Sequence, residues 1–134
     1  MYRVTREIHF SYGHRLMKHP GKCANLHGHN ARVRVEVSSA QLDRQGMVMD
    51  FERIRRTIGE WIDKNLDHKM ILHKKDPYAA MLKKAGEPVA LCDGHPTAEV
   101  LAKWIFEEAQ KSDRIFYFAP FVKLYPTDYL IGNT

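Results

Sequence analysis

Ala31-Arg32-Val33-Arg34-Val35-Glu36-Val37-Ser38-Ser39 alternates without a break, valines on one side and charged residues on the other. Successive strand side chains point to opposite faces, so this segment reads as a half-buried strand of an antiparallel sheet. Working outward from it, Tyr2 to Tyr12 carries Ile8, Phe10 and Tyr12 at the same period of two and predicts a first strand. Gly13 to Leu26, with Pro20 and Gly21, reads as the irregular loop between the two. On the other side, Asp43 to Gly46 is a turn, and Met47 to Met49 is expected to pair back as a short strand.

Helical spacing follows. Asp50 is an N-cap candidate ahead of Phe51, Ile54, Ile58, Ile62 and Leu66, one apolar stripe expected to end near Asp67. Pro96 and Thr97 announce a second helix, with Thr97 as cap and Val100, Leu101, Trp104 and Ile105 as its inner face. Between the helices, His73 to Gly94 reads as an excursion with a short helix at Tyr78 to Lys84, stopped by Gly86 and Pro88. Phe116, Phe118, Phe121, Val122 and Leu124 suggest final strand material, interrupted by Pro120 and ending before Pro126. The sum is an α+β domain with a mostly antiparallel sheet and two main helices on one face.

At 134 residues the chain suits one domain, spanning 1–134. With 44% hydrophobic and 28% charged residues it has ordinary globular composition. No apolar run is long enough for a membrane span and no signal-peptide core follows Met1, so a cytoplasmic location is expected. Two cysteines, Cys23 and Cys92, are too few for a stapled secreted scaffold. Twenty-one Lys and Arg against 16 Asp and Glu give +5 and a pI near 9.3, favouring an anionic partner. The basic residues are scattered and no nucleic-acid motif accompanies them, so nucleic acid is not expected.

Chemistry gathers at His27-Gly28-His29, just before the alternating strand. Residues two apart in extended chain share a face, so both imidazoles can converge, and His14 at the end of the first strand can join them if the strands form a hairpin. Three neutral histidines leave one position open on zinc, the catalytic rather than the structural pattern. Cys23, four residues before His27, is a small buried hydrophobe or a thiol near that metal, able to act as a base or a further ligand. Asp67 and His68 after the first helix are a proton relay or a helix C-terminal cap with a favourably placed imidazole.

Together these residues resemble the family of 6-pyruvoyl-tetrahydropterin and 6-carboxy-tetrahydropterin synthases. The resemblance covers most of the chain: Phe10 to Leu16, Cys23 to Asn30, Gly46 to Phe51, Leu66 to His68, and Pro96 to Glu99. It implies Zn2+ at His14, His27 and His29, a catalytic set of Cys23, Asp67 and His68, and substrate contacts at Thr97 and Glu99. Three residues between Cys23 and His27 look like the carboxy type, whereas the pyruvoyl type usually has five. The implied reaction turns 7,8-dihydroneopterin triphosphate into 6-carboxy-5,6,7,8-tetrahydropterin, acetaldehyde and triphosphate, in queuosine or 7-deazapurine biosynthesis. The implied fold is a T-fold, whose sheets join into a barrel in a homohexamer of two trimers with sites at subunit interfaces. In one place the sequence departs from the family: the pterin-anchoring glutamate of the last strand corresponds to Pro126, with Asp128 and Glu99 as the nearby carboxylates. Two alternative readings follow, a 6-pyruvoyl-tetrahydropterin synthase or a non-catalytic homologue that binds zinc and a pterin.

Overall fold

The computed structural model describes residues 1–112 and the backbone course of 121–126. Strand β1 (Tyr2–His14) and strand β2 (His27–Ser39) form a long antiparallel hairpin. Both run further than the alternation alone predicted, because the two-residue period of the core face continues through His14 on one strand and His27 and His29 on the other. Val33 and Val35 are fully buried, and each such side chain contributes about 1.5–3 kcal/mol.

The first helical stretch runs through α1 (Phe51–Ile54), a π turn (Arg55–Gly59) and α2 (Glu60–Asn65). Asp50 caps it as expected, its carboxylate accepting from the Glu52 N–H at 2.8 Å. Ile54, Ile58, Ile62 and Leu66 are all at most 2% exposed. A strict four-residue spacing drifts by about 40° per step around an α-helix, and the wider π turn absorbs drift that would carry the stripe off the core. Helix α4 (Ala98–Ser112) lies on the same sheet face, and Trp61 meets Trp104 edge to face at 5.7 Å. Among the described residues, no helix is long and apolar enough to cross a membrane.

Met47 to Met49 is not a strand. Asp43 closes a turn there, its carboxylate accepting from the N–H groups of Gln45 and Met47, while its own N–H donates to the Met47 carbonyl. These bonds take up the backbone groups of Met47 that a strand would need.

The segment read as an excursion holds the short helix expected there and, with the residues just before it, also adds two strands to the sheet. Strand β3 (Lys69–His73), helix α3 (Pro77–Lys84) and strand β4 (Val89–Cys92) form a crossover unit. β3 pairs parallel with β1, and β4 parallel with β3. The sheet is therefore mixed, in the order β4-β3-β1-β2-β5, its longer pairings antiparallel as expected and its β4–β3 edge an addition that the sequence reading did not include. The parallel half needs a connecting helix, and α3 supplies it. Ile71 joins the main core, whereas Leu72 and Ala79 are buried outside it, as expected if α3 covers the opposite face.

The last strand, β5 (Phe121–Pro126), is antiparallel to β2 and includes Pro126, opposite Ala31. A proline is tolerated there because it stands at the end of an edge strand. Phe116 and Phe118 lie outside the described residues.

Ile58→Ala, in the π turn, is expected to cost about 2–5 kcal/mol. A urea titration checks this as a lower midpoint at unchanged slope.

Candidate active site

The hairpin register sets His14 opposite His27 and Tyr12 opposite His29. On the core face the order runs Phe10, Tyr12, His14 on one strand and Ala31, His29, His27 on the other, so the histidines are the polar end of the hydrophobic stripe. Their ring centroids stand 4.5–4.9 Å apart, and one ligand nitrogen from each lies within 4.8 Å of the others. Zinc bonds three such nitrogens at about 2.0–2.1 Å, which in a tetrahedral site separates them by about 3.3 Å, so a small inward rotation of the rings completes the set.

Neighbouring carbonyls fix which nitrogen is free to bind. His14 Nδ1 faces the Pro96 carbonyl at 2.7 Å and His27 Nδ1 faces the Asn25 carbonyl at 2.6 Å. A carbonyl only accepts, so each Nδ1 carries the proton and each Nε2 presents its lone pair. His14 Nε2 and His29 Nε2 then stand 2.9 Å apart, facing one another. The His14 lone pair can accept a proton from His29 or, once His29 Nε2 is unprotonated, share a cation with it. The arrangement can hold a metal ion with an open coordination position.

Cys23 sits half-buried in a one-turn 3-10 helix, Lys22–Ala24, and is a free thiol, as is buried Cys92. Its carbonyl accepts from the Leu16 N–H at 2.8 Å. Among the described residues, the metal-holding group contains the three histidines and not this thiol.

Asp67 and His68 are a bonded pair rather than a helix cap. The Leu66 and Asp67 N–H groups both close on the Ile62 carbonyl, ending the helix without side-chain help. Asp67 Oδ1 instead accepts from the Ser11 N–H at 3.0 Å and lies 2.9 Å from His68 Nδ1, and the His68 N–H donates to the Ser11 carbonyl at 2.7 Å. Both backbone groups of Ser11 thus hold the pair at the edge of β1. Burial pushes the Asp67 carboxyl up, but the Ser11 N–H and the His68 ring more than offset it, and the net pKa lies below the ordinary carboxylate range. His68 adopts φ 57°, a left-handed conformation uncommon for a side chain of this size, and leaves its ring 79% exposed.

That ring lines a cavity of about 730 Å³ with Ser11, Gly13, Met70 and Glu87, and His27 and His29 line the same cavity. The cavity thus lies at the end of the hairpin where the histidines and the Asp67–His68 pair come together. Gly13 leaves room here for the Met70 side chain, whose methyl would have to shift to admit a Cβ at 2.6 Å. Thr97 acts as the cap of α4, accepting from the Val100 N–H at 3.2 Å, and Glu99 is exposed in its first turn. Neither lines the cavity. Asp128 lies outside the described residues. Sequence reasoning missed the Pro96 and Asn25 carbonyls; the only signal available was their position beside histidine-bearing segments.

The model of the 6-pyruvoyl tetrahydropterin synthase family matches residues 3–115. A protein of Rickettsia conorii named 6-carboxy-5,6,7,8-tetrahydropterin synthase is 34% identical over 139 residues, covering 95% of each chain. A protein of the same name from Aquifex aeolicus is 32% identical over 133 residues, covering 82% of this chain and 80% of its own. Among solved structures, an uncharacterized protein of Wolinella succinogenes superposes with a TM-score of 0.76 at 23% identity, covering 94% and 93%. The 6-pyruvoyl tetrahydropterin synthase of Caenorhabditis elegans gives 0.64 at 22%, covering 93% and 94%. The chain belongs to the 6-pyruvoyl tetrahydropterin synthase family and has its T-fold.

Asp67→Asn is expected to destabilise the protein at neutral pH. The folded carboxyl has the lower pKa, so the wild-type advantage is full above the unfolded value of about 4 and fades as pH falls through the folded one. Thermal melts of both proteins across that range check the convergence.

Proposed function

We propose that this member of the family is a zinc-dependent lyase converting 7,8-dihydroneopterin triphosphate to 6-carboxy-5,6,7,8-tetrahydropterin, acetaldehyde and triphosphate. The observation that carries the reading is the convergence of His14, His27 and His29 with two Nδ1 protons fixed by carbonyls. The names of the relatives in Rickettsia conorii and Aquifex aeolicus support the carboxy product. The three-residue spacing from Cys23 to His27 agrees with them.

Zinc in this site supplies a Lewis acid that polarises a substrate side-chain oxygen and acidifies the adjacent C–H. The chain's own groups move the protons. Cys23 is the proposed base, and the Asp67 carboxylate, kept ionised by the Ser11 N–H, holds His68 with its Nδ1 toward the carboxylate and its Nε2 toward the cavity. A net charge of +5 suits a triphosphate. Thr97 and Glu99 are retained as proposed substrate contacts, from the motif they occupy.

His68 lines one cavity with His27 and His29. Membership of the family supports sites completed between copies, in a homohexamer whose sheets join as barrels, with Asp67 and His68 of one copy serving another's metal. A cytoplasmic place in queuosine or 7-deazapurine synthesis fits this chemistry.

Pro126 favours a second reading. Its place in β5 offers neither carboxylate nor N–H to a pterin edge, so a homologue that holds zinc and pterin without turnover competes with the enzyme. Incubating the zinc-loaded protein with dihydroneopterin triphosphate separates the readings by product mass. The carboxy product with acetaldehyde is expected; a product retaining the side-chain carbons indicates a pyruvoyl synthase, and saturable binding without conversion indicates the silent homologue.

Two substitutions sharpen the assignment. Cys23→Ala is expected to lower kcat by about 10²–10⁴-fold with metal content unchanged. His14→Ala is expected to abolish stoichiometric metal uptake, measured by cobalt substitution and its visible absorption bands.

A further inference from the structure

The residue after the first histidine ligand has a role that neither the metal nor the sheet accounts for. Arg15 leaves β1 and forks onto Asp76, its Nε and Nη2 reaching the two carboxylate oxygens at 2.7 and 2.6 Å. The Asp76 side chain is fully buried and that of Arg15 is 14% exposed. The guanidinium stacks over Tyr78, with its carbon 3.7 Å from the ring centre, and Nη1 reaches the Ala24 carbonyl at 3.5 Å. Asp76 also caps α3, accepting from the Tyr78 N–H at 2.9 Å. The guanidinium holds the Asp76 carboxyl below the usual range, more than offsetting burial.

A forked ion pair with one carboxylate out of water is costly to build and costly to break. Its contacts explain its place: one side grips the cap of α3, and the other touches the residue next to Cys23. The neighbouring Leu16 N–H donates to the Cys23 carbonyl itself. The thiol-bearing turn is thereby tied at Cys23 and Ala24 to Leu16 and Arg15, and Arg15 in turn ties it to Asp76 at the β3–α3 junction.

We propose that the Arg15–Asp76 pair, stacked on Tyr78, is a positioning device that fixes the Cys23 turn relative to the histidine site. Its consequence for catalysis rests on the lyase reading, but its effect on the thiol does not. Arg15 and Asp76 are positioning residues that act through Cys23 and touch no reacting atom.

The test uses zinc-loaded protein in a Cys92→Ser background, leaving Cys23 as the sole thiol. Asp76→Asn keeps an acceptor for the Tyr78 N–H and removes the charge. It is expected to raise the rate of Cys23 alkylation by iodoacetamide roughly tenfold, with amide exchange across 16–26 accelerated while 31–37 stays within about twofold of the parent. Arg15→Lys keeps the charge without the fork and should fall between, at about threefold. Where turnover is measurable, kcat should fall with KM unchanged.

Alkylation within about twofold of the parent in both variants overturns the proposal, as does exchange that accelerates evenly over the loop, β2 and α4. Should Asp76→Asn not fold, Arg15→Lys and Tyr78→Leu carry the same comparison. A parent that alkylates as expected yet never turns over pterin leaves the clamp standing and removes the lyase.

Discussion

The register that sets His14 opposite His27 is the constraint on which the rest depends. In a sheet a slip of one residue turns every side chain to the other face. A slip of β2 would bring Gly28 inward, send His27 and His29 away from His14 and lift Val33 and Val35 out of the core. Core and histidine cluster are therefore one decision of the chain. The burial of Val33, Val35, Phe10 and Tyr12 pins the register, and the histidines inherit their convergence from it.

The second dependence is electrostatic. An imidazole binds a cation through the nitrogen that lacks a proton, so a three-histidine group works only if each tautomer is set. Pro96 and Asn25 do this for His14 and His27 through backbone carbonyls. Pro96 lies immediately before the cap of α4, so docking that helix through Leu101 and Ile105 also aims the carbonyl that orients His14. Packing of a helix and chemistry of a ligand are joined by one hydrogen bond.

What was legible in the sequence follows from which signals are local. The valines of β2, the Asp50 and Thr97 caps and the histidine spacing are each set within a few residues, and the structure bears them out. β3 and β4 were not legible, because Met70-Ile71-Leu72 and Val89-Ala90-Leu91 are short runs of apolar residues that show no alternation and pair parallel with strands far off in sequence. The strand expected at Met47 lost to a side-chain turn at Asp43. Asp67 was ambiguous alone: whether it caps a helix or bonds Ser11 depends on a partner 56 residues away in sequence. The Arg15–Asp76 pair, 61 residues apart, was invisible for the same reason.

The parallel insertion also explains the placement of the Asp67–His68 pair. β3 enters beside β1 in the same direction, so the chain leaving α2 must reverse within Leu66 to His68 and meet β1 at Ser11. The left-handed turn at His68 is the local cost of that reversal, and the bonds to both backbone groups of Ser11 hold it in place. A helix ending one turn later, or a strand entering antiparallel, would leave Asp67 without the Ser11 N–H that keeps it ionised. The same reversal presents His68 to the cavity that His27 and His29 also line, so the turn after α2 brings the Asp67–His68 pair to the same hollow as two of the three histidines.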